Sequence, residues 1–234
     1  MEDLLSGLVD RLKTAYGSDL LSVVLYGSAA SHDYHEKHSD LNVLCVLQQV
    51  GVPELEKAGE ALQWWIKRGQ PAPLLLSAEE IADGCDVFPI EFLDMKEHYR
   101  LLHGSDVVAG MQVDTAQHRT QLEHELRSRL LRLRKRYLES RHDSKAVTAL
   151  MLDSLPTFAT LFRHALLLSG FPAPTRKHEI FHAVAEHFQV GPAPFESLLE
   201  IRRGARKASP AEVHAWFESY LAGITKMSEV VDKL

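Results

Sequence analysis

The chain has 234 residues, 45% hydrophobic and 25% charged, which is enough for one large domain or two smaller ones with separate cores. Its formal net charge of −6 disfavours a general nucleic-acid binder, and no apolar run approaches the roughly 18 residues of a transmembrane helix, so no membrane partner is expected. The N-terminus is acidic, and Cys45 and Cys85 show no metal-ligand spacing, so we expect a reducing, cytoplasmic setting with Cys45 as a buried free thiol.

The first region, residues 1–114, mixes predicted strands and helices. A helix is predicted for residues 2–16, where leucines recur at helical spacing, and a second for residues 53–68. Ser77 followed by Glu80 indicates a capping box at the start of a short helix. Apolar runs predict strands over residues 20–26, 41–47, 72–76 and 88–95, and a short helix is predicted over residues 96–102.

The second region, residues 115–234, has helical periodicity throughout. Helices are predicted over residues 115–140, 146–169, 177–188, 195–206 and 210–232. The charge also changes, from 8 basic and 19 acidic side chains in residues 1–114 to 18 and 13 in residues 115–234. We therefore predict an α/β (α+β) N-terminal domain with a mixed sheet, residues 1–114, and an all-α helical-bundle domain, residues 115–234.

The most informative motif joins the first two strands. Gly27 and Ser28 form a turn after the first strand, and Asp40 opens the next strand twelve positions after Ser28. Asn42 shares a strand face with Asp40 because side chains alternate with period two. A Gly-Ser turn lets backbone N–H groups approach a phosphate, and a carboxylate oxygen is a ligand that Mg²⁺ prefers.

This pattern resembles the nucleotidyltransferase superfamily, the group of kanamycin nucleotidyltransferase and the minimal nucleotidyltransferases, in which a Gly-Ser turn precedes Asp-x-Asp or Asp-x-Glu. Gly27, Ser28 and Asp40 match the motif, and Asn42 departs from it. The resemblance implies a mixed sheet with helices and transfer of a nucleoside monophosphate from Mg²⁺- or Mn²⁺-bound NTP. The acceptor would be a hydroxyl of an unknown small molecule or protein.

Asn42 replaces the second carboxylate of that motif with a neutral amide. In two-metal nucleotidyl transfer a bridging carboxylate also offsets repulsion between the cations, so the amide weakens a second metal site. Three outcomes remain open: a one-metal or slow enzyme, an enzyme that uses another carboxylate, or a fold that binds nucleotide or a partner without turnover. In each case we assign Asn42 to nucleotide binding.

The resemblance also implies a third acidic residue on a neighbouring strand. Glu91, flanked by Ile90 and Phe92, is where an apolar strand would place a lone inward carboxylate, and a buried carboxylate requires a partner or a metal. On a strand, Asp94 would face the opposite side. We therefore predict Glu91, with Asp40, as catalytic residue and metal ligand.

Two further features leave alternatives open. The segment 32–38 contains three histidines and Lys37, which are interpreted as a plain loop, a zinc site or a triphosphate contact; we assign Lys37 to the nucleotide. Arg129, Arg132 and Arg136 share a helix face, which is either solvated and ion-paired or phosphate-facing.

The spacing of Arg136 and His142 also fits the loose signature of helical ribonucleases, which makes a toxin–antitoxin component a further alternative. The sequence leaves the acceptor and the oligomeric state open.

Overall fold

The computed structural model describes residues 1–30 and 40–234 and divides into two compact units. The first unit, Met1–Ala116, contains the sheet, and the second, Gln117–Leu234, is built from helices. The predicted fold class, a mixed-sheet α/β domain followed by an all-α domain, is confirmed. None of the helices among the described residues is long and apolar enough to cross a membrane.

The sheet has four strands within the described residues, in the order β3-β2-β1-β4. Its central strand β1 runs antiparallel to both β2 and β4, whereas β2 and β3 are parallel, so the sheet is mixed as predicted. The strands are β1 Leu20–Tyr26, β2 Asn42–Leu47, β3 Leu74–Ser77 and β4 Tyr99–Gly104.

Six α-helices accompany the sheet in the described part of the first unit. They are α1 Glu2–Tyr16, α2 Val52–Lys57, α3 Gly59–Ile66, α4 Ala78–Gly84, α5 Pro89–Glu97 and α6 Val107–Gly110. The prediction of α1 is confirmed, and so is the capping box in which Ser77 Oγ accepts the Glu80 N–H at 3.0 Å. The helix predicted over residues 53–68 is instead two helices, α2 and α3, which meet at Ala58.

Two predicted elements of this unit are wrong. Residues 88–95 were predicted as a strand, but they form helix α5, and residues 96–102 were predicted as a helix, but strand β4 begins at Tyr99. The alternation of Ile90, Glu91 and Phe92 imitates a strand, whereas Pro89 occupies the first turn, where helices tolerate proline. The Leu, Met, Lys and Glu residues that follow also favour a helix.

Both faces of the sheet are covered by helices. On β2, Val43 and Cys45 pack into a core with residues from α1 and α3, including Leu8 and Trp65, which are fully buried. Leu44 and Val46 point to the opposite face and pack with Ile81, Phe92 and Met95 from α4 and α5. The period-two alternation of β2 therefore separates two apolar layers.

The second unit contains five helices. They are α7 His118–Ser140, α8 Ser144–Leu168, α9 Lys177–Phe188, α10 Ala193–Arg202 and α11 Pro210–Asp232. These confirm the five helices predicted from periodicity, with α9 matching at both ends. A cluster of buried rings holds α8, α9, α10 and α11 together: Phe158, Phe162, Phe181, Phe195 and Tyr220.

Candidate functional site

The motif residues meet at one edge of the sheet. Tyr26, the last residue of β1, is in register with Asn42 on one side and with Tyr99 on the other. The end of β1 and the starts of β2 and β4 therefore lie side by side. The 3₁₀ turn Gly27–Ala29 follows directly, so Gly27 and Ser28 stand at the same edge as Asn42.

Gly27 lies against the side chain of Asn42. A Cβ atom at this position would be 3.4 Å from Asn42 Nδ2, and the φ angle of Gly27 is +76°, a conformation that glycine adopts without steric cost. The Gly27 N–H donates a 2.9 Å hydrogen bond to the carbonyl oxygen of His98. This amide is thus used within the fold, and Gly27 contributes the shape of the turn rather than a phosphate donor.

Asp40 is exposed and immediately precedes Leu41, which is buried in the sheet core. The N–H of Leu41 donates a 3.0 Å hydrogen bond to Oε1 of Gln70, from the connection between α3 and β3. Gln70 therefore fixes the backbone next to Asp40. Sequence reasoning missed this residue, because an isolated glutamine 29 positions away carries no motif.

Asn42 belongs to the face of the sheet that α5 covers. Leu41 and Val43 pack into the core beneath α1 and α3, so Asn42, between them, points to the other face. Asp40 lies just before β2, which begins at Asn42, and its side chain is exposed. Helix α5 packs on this face through Phe92 and Met95.

The structural basis on which Glu91 was chosen is wrong. Glu91 is not an inward carboxylate on a strand; it is exposed in the first turn of α5. Asp94, three positions later, lies on the same helix face rather than the opposite one. Glu91 also precedes His98, the residue bonded to Gly27, by about 10 Å along the helix axis at 1.5 Å per residue.

Two tyrosines at this edge have raised pKa values. Burial raises the pKa of the Tyr26 phenol. The pKa of Tyr99 is raised because its hydroxyl donates a 3.0 Å hydrogen bond to the carboxylate of Asp106. Among the described residues, Nε2 of His98 is buried without a hydrogen-bond partner. His98 and Tyr99 are further residues of this edge that sequence reasoning missed.

The described oxygen donors of the motif are the carboxylate of Asp40 and the amide of Asn42. The described residues contain no cluster of three or more His, Cys, Asp or Glu side chains that could hold a metal. Mg²⁺ is usually bound through one or two carboxylates together with substrate phosphates and water. Asp40, with the amide of Asn42 beside it, can therefore hold an ion that arrives with a nucleotide. Lys37 and the three histidines of its segment lie outside the described residues.

The protein has a nucleotidyltransferase-like fold, as the motif predicts. The structure is similar to the crystal structure of spectinomycin adenyltransferase AAD(9) from Enterococcus faecialis with ATP and spectinomycin. The TM-score is 0.62 at 12% sequence identity, and the match covers 99% of each chain. No protein-family profile and no curated protein sequence matches the chain.

Proposed function

We propose that the protein transfers a nucleoside monophosphate from a metal-bound NTP to a hydroxyl group of an acceptor. The observation that carries this proposal is the meeting of the Gly27 turn, Asn42 and the Asp40 segment at one edge of the sheet. It supports the proposal because this constellation occurs in a fold shared over 99% of the chain with an adenyltransferase.

Each residue has a distinct proposed role. Asp40 holds the metal that accompanies the nucleotide, and Asn42 orients a metal-bound water or the nucleotide itself. The turn at Gly27 brings the chain close to the phosphates, and the Ser28 hydroxyl donates to them. Helix α5 supplies the further acidic ligand or base, for which Glu91 remains our assignment, with Asp94 on the same helix face.

A divalent ion, Mg²⁺ or Mn²⁺, would neutralise phosphate charge that develops as the bond to the leaving pyrophosphate breaks. The protein itself contributes by holding the polar groups of the site in position. The core beneath Leu41, the Gln70 hydrogen bond and the register of Tyr26 with Asn42 set where the polar groups stand before the nucleotide binds. Such preorganisation lowers the barrier without further rearrangement of the chain.

We propose a small hydroxylated molecule as the acceptor. The structurally similar adenyltransferase was crystallised with ATP and spectinomycin, so its fold accommodates a nucleotide together with a small-molecule acceptor. A protein acceptor is the alternative within the same reaction, and the experiment below includes both.

The test is incubation with α-³²P-labelled ATP, GTP, CTP or UTP and Mg²⁺ or Mn²⁺, with spectinomycin, other aminocyclitols and a cell lysate as acceptors. Label transfer should be lost in Asp40→Ala and retained in Asp10→Ala, which removes an exposed carboxylate from α1. Equal transfer by the Asp40→Ala variant would contradict the assignment. NTP binding by calorimetry without transfer would favour a non-catalytic nucleotide-binding module instead.

A further inference from the structure

A cavity with charged side chains in its lining lies between the first two helices of the second unit. It has a volume of about 230 Å³, and its apolar floor is formed by leucines and a phenylalanine. The rest of the lining is polar: Arg129, Arg132 and Arg136 from α7, and Asp153, Ser154 and Thr157 from α8. The three arginines face the same cavity, as their spacing of three and four residues predicts.

Two other arginines of α7 have partners outside the cavity. Arg127 pairs with Glu123 at 2.8 Å and with Asp232 at 3.2 Å. Arg134 donates to the hydroxyl of Thr225 at 3.5 Å. Arg127 and Arg134 thus have partners within the domain and do not line the cavity.

Three of the four charged side chains of the cavity are exposed to solvent: Arg132, Arg136 and Asp153. Arg129 pairs with Glu125 at 2.9 Å, but across the described residues no ion pair within 4.0 Å involves Arg132, Arg136 or Asp153. A guanidinium group presents several donors in a planar fork that matches the oxygens of a phosphate. Arg132 and Arg136 lie one helical turn apart on the same face, so both guanidinium groups can bind one phosphate.

The opposite wall accepts hydrogen bonds. The carboxylate of Asp153 is an acceptor that repels an anion but binds a hydroxyl or an amine. Ser154 is occupied, since its hydroxyl donates to the Leu150 carbonyl at 2.9 Å and contacts the Tyr220 hydroxyl at 3.0 Å. Asp153 is therefore the charged group of α8 that can bind a hydroxyl attached to an anion held on α7.

We propose that this cavity binds a small phosphate monoester that carries a free hydroxyl group. Its phosphate lies on Arg132 and Arg136, and its hydroxyl donates to Asp153. The volume is below the roughly 300–1,000 Å³ of sites for drug-sized ligands, which restricts the ligand to a few carbons beside the phosphate. The acidic side chain within the cavity also disfavours a continuous nucleic-acid backbone. The site is independent of the proposed nucleotidyl transfer.

The test is isothermal titration of the full chain with glycerol 3-phosphate, inorganic phosphate and glycerol at constant ionic strength. We expect glycerol 3-phosphate to bind more tightly than phosphate, and glycerol not to bind. Arg132→Gln and Arg136→Gln should each weaken glycerol 3-phosphate binding about tenfold, since each removes charge-assisted hydrogen bonds. Lys135→Gln, an equal charge loss at an exposed neighbour on α7 outside the cavity, should leave binding unchanged.

A second variant tests the role of Asp153. Asp153→Asn should strengthen the binding of inorganic phosphate, because it removes a repulsive charge, and should abolish the preference for the hydroxylated ester. Asp40→Ala should bind glycerol 3-phosphate as the wild type does, which separates this site from the proposed nucleotide site. The proposal is overturned if the folded protein binds none of the probes, if Lys135→Gln weakens binding as much as the arginine variants, or if Asp40→Ala abolishes it.

Discussion

The N–H of Gly27 donates to the carbonyl oxygen of His98 across 2.9 Å, which joins the turn after β1 to the point where α5 ends and β4 begins. Residues 71 positions apart in sequence thus meet beside the candidate site. A side chain added at Gly27 would lie 3.4 Å from Asn42 Nδ2, so a change at this glycine affects two segments of the site together.

Gly27→Ala should destabilise the protein and reduce nucleotidyl transfer. Alanine at a φ of +76° costs about 1–3 kcal/mol, and its methyl group would make van der Waals contact with the amide of Asn42 at 3.4 Å. Urea unfolding and the label-transfer assay measure the two effects. Gly59→Ala is the control: it adds a methyl group into open space at the start of α3, so stability should stay equal or rise. Equal behaviour of the two variants would contradict the prediction.

Gln70→Ala should lower the rate of nucleotidyl transfer by more than its loss of folding stability explains. It leaves the Leu41 N–H without its acceptor, which costs about 1–3 kcal/mol for a buried group and frees the backbone beside Asp40. Gln70→Glu keeps an acceptor oxygen and should restore the activity. The measurement is transfer rate beside the free energy of unfolding for both variants. If Gln70→Ala retains the full rate, Gln70 does not position Asp40.

Asn42→Asp should raise metal-dependent transfer about tenfold, because metal affinity rises with the number of charged ligands. It should also make thermal stability depend on Mg²⁺, since two adjacent carboxylates repel each other until a cation binds between them. Thermal unfolding with and without Mg²⁺ reports this without any acceptor. Asn42→Ala is the comparison and should show neither effect. A decrease in transfer for both variants would show that the amide itself is required.

Tyr16 should make the protein sensitive to alkaline pH. Its hydroxyl donates to the carbonyl of Glu54 at 2.8 Å, and burial, with smaller effects of Cys45 and Glu54, raises its pKa from 10.0 to about 12. The folded state therefore binds the proton more tightly than the unfolded state. This contribution to stability is complete below pH 10 and is lost as the pH rises to about 12.

The measurement is urea unfolding of wild type and Tyr16→Phe at pH 7 and through the range from pH 10 to 12. Tyr16→Phe should cost about 1 kcal/mol at pH 7, where the hydrogen bond is intact, and should lose less stability than wild type as the pH rises. Parallel stability curves for the two proteins across the whole range would refute the prediction.

The sequence predicts elements well where one pattern dominates. The leucine spacing of α1, the apolar runs of β1 and β2 and the capping box at Ser77 each correspond to observed structure. The segment from Phe88 to Gly104 is different, because alternation around Glu91 competes with the signal of Pro89 for a helix. Packing against the sheet through Phe92 and Met95 decides in favour of the helix.

Sequence patterns predict only those parts of the site whose residues lie close together in the sequence. Asp40 and Asn42 are two positions apart, so period two predicts a common side for them. Asn42 begins β2 and Asp40 lies just before it, so this common side stays a prediction. The contacts of Gln70 with Leu41 and of His98 with Gly27 join distant segments and leave no local pattern. The error at Glu91 has the same origin: whether it and Asp94 share a face depends on the element that carries them, which the rest of the fold determines.

The register of β1 with β2 has a consequence for how this protein can change. Tyr26 pairs with Asn42 at the end of the β1–β2 ladder. Among the β2 residues that follow, Val43 and Cys45 pack into one core, and Leu44 packs into the other. A deletion of one residue in β2 would exchange the two sets and turn Asn42 away from α5. Polar side chains at this edge can be substituted one at a time, but the apolar residues between them determine the face on which each one lies.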